Sequence, residues 1–379
     1  MSQAPVKSEL WGHPKGLYVL FTAEMWERFS YYGMRALLVL TLVAATESAN
    51  PGFGMSDADA LSLYGMYTGL VYFTPILGGW LADNYLGQRR AIMLGGVLMA
   101  LAQFTLFAAT PHSLELFYVG LGLLIAGNGL FKPNISTIVG DLYPQGDARR
   151  DSAFSIFYMG INLGAFFAPL VTSTLGESPD FGWRWGYFAA GVGMTLAVLT
   201  QMLMFPRYLG DVGIIPGAKR DRELTGGVKQ PLSKVEHDRL RVILFLFVFV
   251  TVFWLAFEQA GGLMNIYADR YTDRMIGGTE VPAGYFQSLN PLFILMFAPV
   301  FSFLWIWLNK KDKSPDAPIK VFTGLILTSI GFVFLILGLF EIQVSGKANM
   351  MWLVLAYLFH TLGELCISPV GLSLMTKLA

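Results

Sequence analysis

The chain has 379 residues, of which 54% are hydrophobic and 14% are charged, and its 26 basic and 26 acidic residues leave no net charge. So apolar a chain could not be covered by a water-compatible surface, which excludes a set of soluble domains, and the neutral balance gives no reason to expect a nucleic-acid partner. The single cysteine, Cys366, excludes an internal disulfide framework and a multi-cysteine metal site. The composition therefore predicts a polytopic membrane protein, for which no cofactor or metal is expected.

Ten apolar runs are long enough to cross a bilayer as helices, because a hydrocarbon core about 30 Å thick requires roughly 20 residues per helix. In chain order the predicted spans are Leu17–Val43, Leu61–Ala82, Ile92–Thr110, Leu114–Val139, Ala153–Thr174, Trp183–Phe205, Leu240–Tyr267, Ala283–Leu308, Ile319–Leu339 and Met351–Leu372. The first run has charges in its centre, which is not typical of a cleavable signal peptide. The predicted fold class is an all-α polytopic membrane protein.

The basic residues are distributed unevenly along the chain. With a cytoplasmic N-terminus, nineteen of the 26 Lys and Arg residues lie at the inner ends and loops, four lie outside and three lie within spans. Because Lys and Arg cross the membrane poorly during insertion, this asymmetry predicts an N-inside, multi-pass topology.

The longest polar stretch, residues 207–239, separates six spans from four. It is interpreted as a cytoplasmic linker between an N-terminal bundle, residues 1–206, and a C-terminal bundle, residues 240–379. Twelve-helix transporters are built from paired six-helix repeats, so the second bundle would contain four of its six helices. Either the chain is truncated after Lys377 or the fold is unusual. A single ten-helix bundle with one long loop is the alternative.

Charged residues within the first span indicate function, because a charge at the bilayer centre costs about 2.5–3.5 kcal/mol on insertion scales. Helical periodicity places six polar or charged residues of this span on one face. They are Glu24, Glu27, Arg28, Tyr31, Tyr32 and Arg35. A structural i,i+4 ion pair of Glu24 with Arg28 is the alternative interpretation, whereas Arg35 has no carboxylate three or four residues away.

Other spans contribute isolated ionisable residues. Lys132 lies in the fourth span beside a proline, which removes a backbone donor and makes the helix locally deformable. Glu258 lies in the seventh span, and Glu364 lies in the tenth with His360 and Ser368 one turn to either side. The alternatives are a lysine that extends its ammonium to the membrane surface, protonated glutamates without a role, and a packing histidine.

The intramembrane charges differ in sign between the two halves of the chain. They sum to +1 in the first half and to −2 in the second if both glutamates ionise. A hydrated cavity between the halves would then attract a zwitterion, with its carboxylate toward the first half and its ammonium toward the second. Because the total is negative, one carboxylate is free to take up a proton. The charges therefore predict a proton-coupled carrier of small zwitterions.

Five motifs resemble those of the proton-dependent oligopeptide transporters, a branch of the major facilitator superfamily. They are Glu24-Met25-Trp26-Glu27-Arg28-Phe29-Ser30-Tyr31-Tyr32-Gly33, Gly78-Gly79-Trp80-Leu81-Ala82-Asp83-Asn84-Tyr85-Leu86-Gly87 with Arg89 and Arg90, Phe131-Lys132-Pro133-Asn134, Phe157-Tyr158-Met159-Gly160-Ile161-Asn162-Leu163-Gly164, and Gly363-Glu364-Leu365 followed by Ser368-Pro369. The resemblance implies the superfamily fold, in which two six-helix bundles rock about a central site. It also implies proton-driven import of di- and tripeptides by alternating access.

The resemblance further implies a role for each matching residue. The residues implied in proton coupling are Glu24, Glu27, Arg28, Lys132 and Glu258. Those implied in peptide binding are Tyr32, Arg35, Tyr72, Lys132, Asn162, Asn290, Glu364 and Ser368. Arg35 and Lys132 resemble ligands of the peptide carboxylate, and Glu364 with Ser368 resembles the anchor of the peptide ammonium. Asp83, Arg89 and Arg90 resemble a cytoplasmic gating motif, although the two arginines are also explained as ordinary positive-inside charges.

The chain departs from the family pattern in two respects. Ala165 stands where members often carry Ser, and the last two helices are absent, as is the additional helix pair that bacterial relatives carry between the halves. The resemblance implies peptides, protons and membrane lipid as partners. It also implies a monomer in the plasma membrane, which in bacteria is the inner membrane.

Three other functional classes are alternatives to a peptide carrier. An intramembrane enzyme is not expected, because the chain contains no HExxH, GxSxG, P-loop or dinucleotide-binding fingerprint. A channel would not concentrate its substrate. An importer of nitrate or amino acids on the same fold is the alternative within the carriers.

Overall fold

The computed structural model describes residues 9–144, 146–218 and 234–378, with side chains up to Ser368 in the last helix. Ten helices of 21 to 29 residues and one short helix dominate this part of the chain. They are α1 (Lys15–Val43), α2 (Asp57–Leu81), α3 (Gln88–Ala108), α4 (Leu114–Asp141), α5 (Arg150–Gly176), α6 (Trp183–Tyr208), α7 (Lys234–Phe257), α8 (Leu263–Tyr271), α9 (Leu289–Lys310), α10 (Ala317–Ser345) and α11 (Met350–Leu378).

Within the described residues, nine helical segments are long and apolar enough to cross a membrane. Helix α1 is long enough but is not among these nine, because its central residues include the charged side chains of Glu24, Glu27, Arg28 and Arg35. These charges are buried against other helices of the protein, so the helix does not have to present them to lipid. The predicted all-α, multi-pass fold is confirmed.

The predicted seventh span is not one continuous helix. After α7, a 3-10 turn occupies Glu258–Gly261, and α8 then begins at Leu263. The consecutive glycines Gly261 and Gly262 explain the interruption, because glycine is a poor helix former. The predicted eighth span likewise begins with a 3-10 turn, Ala283–Ser288, before α9. Both spans were predicted as uninterrupted helices, and hydropathy alone does not distinguish the two cases.

The chain divides into two compact units, residues 1–228 and 229–379. In the first unit, α1 packs against α5 and α6, α3 packs against α4 and α6, and α2 packs against α4. In the second, α9 and α10 pack against α11, and α7 contacts both α10 and α11. The boundaries 1–206, 207–239 and 240–379 stay predictions, because residues 219–233 of the predicted linker lie outside the described residues, as do the side chains of Pro369 and Lys377.

Two glycines of the predicted motifs allow close approach between helices of the first unit. A Cβ atom at Gly164 of α5 would collide with the carbonyl oxygen of Met25 on α1. A Cβ atom at Gly78 of α2 would collide with the carbonyl oxygen of Gly129 on α4. The absence of side chains at these two positions therefore brings α1 and α5, and α2 and α4, into backbone contact.

A short hairpin precedes α1. Its strands, β1 (Glu9–Leu10) and β2 (His13–Pro14), are antiparallel and pair Leu10 with His13. Arg149 lies in the segment between α4 and α5 and contacts this hairpin. Its Nη1 atom is 2.9 Å from Glu9 Oε1 and donates to the Gly12 carbonyl at 3.0 Å. Arg149 also hydrogen-bonds Asp147, which lowers the pKa of that carboxyl to about 2. These contacts attach the start of the described chain to the first unit.

Two further pairs of short strands lie in the second unit. Strand β3 (Thr272–Asp273) runs parallel to β6 (Ala348–Asn349), and β4 (Met275–Ile276) is antiparallel to β5 (Thr279–Glu280). Arg274 is 8% exposed and its Nη2 atom lies 2.9 Å from Glu280 Oε1. This ion pair stabilises the connection between α8 and α9.

Candidate functional site

Glu24, Glu27 and Arg28 form a buried ion-pair cluster in α1, here called the carboxylate cluster. Arg28 Nε lies 2.9 Å from Glu24 Oε1 and 2.5 Å from Glu27 Oε2. The three residues are only 3%, 0% and 4% exposed. The sequence spacing explains the geometry, because Glu24 is one helical turn before Arg28. Two carboxylates that share one guanidinium carry one excess negative charge, which a proton would neutralise.

Lys132 of α4 is the next cation beside this cluster. It interacts electrostatically with both Glu24 and Glu27, and its Nζ atom lies 4.8 Å from the centroid of the Tyr72 ring on α2. The helix continues through Pro133 without a break. The structure thus places Lys132 close to Tyr72 and to the carboxylate cluster, although the three belong to different helices.

Arg35 lies two helical turns beyond Arg28 on α1. Its Nε donates to the Tyr64 hydroxyl of α2 at 3.1 Å, and its guanidinium carbon lies 5.7 Å from the Tyr32 ring centroid. The residue is 6% exposed. A guanidinium held by a hydroxyl and an aromatic ring has a fixed orientation, and its planar geometry suits a carboxylate.

Asn162 lies on α5, the helix that approaches α1 through Gly164. It is 3% exposed, and its Nδ2 donates to the Tyr158 carbonyl of its own helix at 2.9 Å. This bond fixes the orientation of the amide. Contact of Asn162 with a substrate stays a prediction.

The second unit contains an acidic group on α9 and α11. Asn290 Nδ2 donates to Glu364 Oε2 at 2.9 Å and to Thr361 Oγ1 at 3.0 Å. Glu364 is 7% exposed. The amide therefore orients a buried carboxylate, and such a carboxylate is chemically suited to bind an ammonium group.

The remaining predicted residues of the second unit are less enclosed. Glu258 is half-buried at the first position of the 3-10 turn that follows α7, and Ser368 is half-buried one turn beyond Glu364. His360 is 2% exposed, with its ring 4.6 Å from that of Phe332. These surroundings agree with a packing role for His360, whereas the roles of Glu258 and Ser368 stay predictions.

The predicted gating motif lies between α2 and α3. Asp83 is exposed in a π-helical turn, Ala82–Leu86, and Arg90 is exposed at the start of α3. The backbone N–H of Arg89 donates to the Gly213 carbonyl at 2.9 Å, and its Nη1 donates to the Gly210 carbonyl at 2.6 Å. Arg89 therefore anchors α3 to the segment after α6, and a gating role for the three residues stays a prediction.

Sequence reasoning did not identify three residues of these sites. Tyr64 binds Arg35, Thr361 binds Asn290, and Asn128 is 1% exposed in α4 with no hydrogen-bond partner for either amide atom among the described residues. Helical spacing would have identified the last two, since Thr361 is three residues before Glu364 and Asn128 is four before Lys132. Tyr64 lies on another helix from Arg35, and no local pattern connects them.

Among the described residues, no group of three or more His, Cys, Asp or Glu side chains is arranged to hold a metal ion. The buried sites contain carboxylates, basic groups, amides and phenol rings. Such groups bind charged organic molecules and exchange protons.

Comparisons with known proteins agree with this chemistry. Residues 89–208 and 227–379 match the model of the POT family. The chain is 36% identical to the peptide transporter YePEPT of Yersinia enterocolitica, over all of this chain and 84% of that protein. It is also 36% identical to a di-/tripeptide transporter of Lactococcus lactis, over 97% of this chain and 84% of that protein.

Solved structures show the same similarity. A mutant of the peptide transporter POT in complex with alafosfalin superposes with a TM-score of 0.87 at 36% sequence identity. The alignment covers 99% of this chain and 84% of that chain. The structural comparison and the sequence comparisons therefore agree on the fold family and on the share of each chain that is matched.

Proposed function

The chain belongs to the POT family, and from this premise we propose that it is a proton-coupled symporter that imports di- and tripeptides by alternating access. It is a multi-pass membrane transporter and not an enzyme. The observation that carries the proposal is the buried carboxylate cluster beside Lys132. In this arrangement, protonation of Glu24 or Glu27 changes the charge next to Lys132, a cation that is implied in substrate binding.

The carboxylate end of the peptide binds to the first unit in this proposal. Arg35 and Lys132 supply the positive charge, and Tyr32, Tyr72 and Asn162 line the same region. The contact of Arg35 with Tyr64 supports this assignment, because it leaves a pre-oriented guanidinium next to aromatic rings.

The ammonium end binds to the acidic group of the second unit. Glu364 supplies the charge, with Asn290 and Ser368 as polar ligands. The hydrogen bond from Asn290 to Glu364 supports this assignment, since it holds the carboxylate in one orientation. A free α-ammonium and a free α-carboxylate together distinguish short peptides from simple anions such as nitrate.

Proton coupling is assigned to the carboxylate cluster together with Lys132, and to Glu258 in the second unit. With both carboxylates ionised, Arg28 and Lys132 balance the charge. Uptake of a proton leaves one positive charge in excess, which favours binding of the peptide carboxylate. Proton and peptide binding would thereby strengthen each other, as linkage requires.

The remaining assignments concern the whole protein. We infer a cytoplasmic N-terminus, location in the bacterial inner membrane, contact with membrane lipid and function as a monomer. Residues 207–239 are assigned as the linker between the N-terminal and C-terminal bundles, and Asp83, Arg89 and Arg90 as a cytoplasmic gating motif. The basic residues near the inner ends of the helices support the orientation.

The direct test is transport by the purified protein in liposomes. Radiolabelled dialanine should accumulate when the outside is acidic and the membrane potential is negative inside, and a protonophore should abolish the accumulation. Unlabelled dialanine should compete, whereas nitrate and free alanine should not. Competition by nitrate or alanine alone would identify an importer of that substrate, and uptake that only equilibrates would identify a channel.

A further inference from the structure

Asn128 is a buried polar residue of α4 that the proposed mechanism does not use. It lies on the buried face of the helix with Leu121, Leu124 and Ile135, and all four residues are at most 3% exposed. Neither Oδ1 nor Nδ2 of Asn128 has a hydrogen-bond partner among the described residues. Unpaired buried amides are rare, and within a membrane protein interior no bulk water compensates for them. The amide of Asn128 therefore has hydrogen-bonding capacity that the described residues do not use.

Helix geometry places the amide of Asn128 beside the side chain of Lys132. Four residues correspond to a rise of about 6 Å and a rotation of about 40°, so the two residues share one face of α4. Long side chains in a helix lean toward its N-terminus and cover the residue one turn earlier. The Lys132 side chain therefore extends in the direction of Asn128.

The counter-charges of Lys132 change during proton coupling. Lys132 interacts with the carboxylates of Glu24 and Glu27, and protonation of either carboxylate removes part of this attraction. Lys132 is half-buried, and the three N–H groups of its ammonium each require an acceptor. The Tyr72 ring faces it in one direction, and the Asn128 oxygen is an acceptor within reach on its own helix.

We propose that Asn128 is a positioning residue whose amide oxygen accepts a hydrogen bond from Lys132 when the carboxylate cluster is protonated. This bond holds the ammonium beside Tyr72, where the peptide carboxylate binds it. The inference rests on the proposed function for its consequence in transport. The contact between Asn128 and Lys132 itself is measurable without any substrate.

The transport experiment compares Asn128→Ala with Asn128→Ser, which differ by one hydroxyl oxygen. Loss of a hydrogen bond to a charged group should lower kcat/KM for dialanine about tenfold or more in Asn128→Ala, and the serine hydroxyl should restore most of it. When Lys132 is also replaced by alanine, Asn128→Ala and Asn128→Ser should have the same kcat/KM, because the ammonium donor of Lys132 is absent. If Asn128→Ala does not fold, the experiment uses Asn128→Leu instead, because the leucine side chain fills more of the site.

Gln201→Ala is the matched control. Gln201 of α6 is also fully buried with both amide atoms unpaired among the described residues, and it faces Gly96 of α3. It should leave kcat/KM near that of the parent protein. The proposal is overturned if Asn128→Ala is as active as the parent protein, or if Asn128→Ala lowers kcat/KM equally with and without Lys132. It is also overturned if Gln201→Ala lowers kcat/KM as much as Asn128→Ala does, or if Asn128→Ala and Asn128→Leu both fail to fold.

A spectroscopic measurement separates this inference from the proposed function. Lysines are methylated with a ¹³C label, and the Lys132 signal is assigned with Lys132→Arg. At acidic pH and without substrate, the Lys132 signal should shift in Asn128→Ala, return toward its original position in Asn128→Ser and stay in place in Gln201→Ala. An unchanged signal in Asn128→Ala overturns the contact. Failure of the parent protein to take up dialanine would instead overturn the proposed function alone.

Discussion

Arg28 is the residue that connects the two carboxylates of α1. Both Glu24 and Glu27 approach the same atom, Arg28 Nε, so the guanidinium does not satisfy both fully. Glu27 is the more enclosed of the two, with no exposed surface. A change in the charge of Glu27 therefore acts mainly on Arg28 and Lys132 rather than on solvent.

The first prediction concerns Glu27→Gln. The variant should lose gradient-driven uptake of dialanine but retain counterflow exchange, because the amide keeps the shape of the side chain and cannot bind and release the driving proton. At roughly 150 mV each charge that enters supplies about 3.5 kcal/mol, so its loss should remove nearly all accumulation. Uptake and counterflow are measured in the same liposomes.

Glu115→Gln is the control for this prediction. Glu115 is exposed in the first turn of α4, and its neutralisation should leave both activities intact. If Glu27→Gln still concentrates dialanine against a gradient, the assignment of Glu27 to proton coupling is wrong.

The second prediction concerns Lys132→Ala. Removal of the ammonium should weaken transport of dialanine about tenfold or more, the magnitude expected for a lost hydrogen bond to a charged group. Dialanine amide lacks the carboxylate, so its counterflow exchange, which does not depend on the proton gradient, should change much less. Counterflow of each compound is measured in the same liposomes, and equal losses for both would remove Lys132 from carboxylate binding.

Much of the site was predictable at the level of single residues. Charges in apolar spans are expensive, so Glu24, Arg28 and Lys132 were conspicuous as soon as the spans were located. Helical spacing also offered an i,i+4 ion pair of Glu24 with Arg28 as the alternative, structural interpretation of these charges, and the structure contains that pair. The bond of Arg35 with Tyr64 joins different helices, and only the packing of the chain determines it.

At the level of helices, the close approach of α2 and α4 positions Tyr72 beside Lys132. The two helices meet where Gly78 faces the Gly129 carbonyl, and Thr74 of α2 donates to the Ile125 carbonyl of α4 at 3.0 Å. Tyr72 and Lys132 lie within two turns of this contact. A wider separation of the helices would therefore part the ring from the ammonium.

The third prediction tests this contact with Gly78→Ala. The new methyl group collides with the Gly129 carbonyl, and overpacking of this kind destabilises a protein by about 1–3 kcal/mol. Gly79→Ala is the matched control, since its Cβ would lie 3.8 Å from the nearest atom, Pro133 Cβ. Thermal unfolding in detergent should show a lower midpoint for Gly78→Ala, together with weaker dialanine uptake, and no change for Gly79→Ala. Equal stability of the two variants would contradict the proposed packing.

The helices themselves were predicted better than their interruptions. Apolar length is sufficient to locate each span, because the bilayer sets it. The break after α7 depends on how Gly261 and Gly262 are accommodated by neighbouring residues. Hydropathy averages over such positions, which is why Glu258 was expected inside a continuous helix.

At the level of the whole molecule, the distribution of charge is the property that determines orientation. The loops assigned to the cytoplasm carry most of the Lys and Arg residues, and they alternate along the chain with loops that carry few. In the structure, long helices separate these loops. Orientation is therefore a prediction from sequence that requires a chemical test.

The last prediction determines this orientation with introduced cysteines, because the chain has only one cysteine of its own to remove. Cys366 is 3% exposed and is replaced by serine, and a new cysteine is then introduced as Glu47→Cys between α1 and α2 or as Lys313→Cys between α9 and α10. Both positions are exposed. An N-inside topology places position 47 outside and position 313 in the cytoplasm. In intact cells an impermeant maleimide should therefore label Glu47→Cys, and it should label Lys313→Cys only after permeabilisation. If Lys313→Cys is labelled in intact cells and Glu47→Cys only after permeabilisation, the positive-inside asymmetry does not orient this protein.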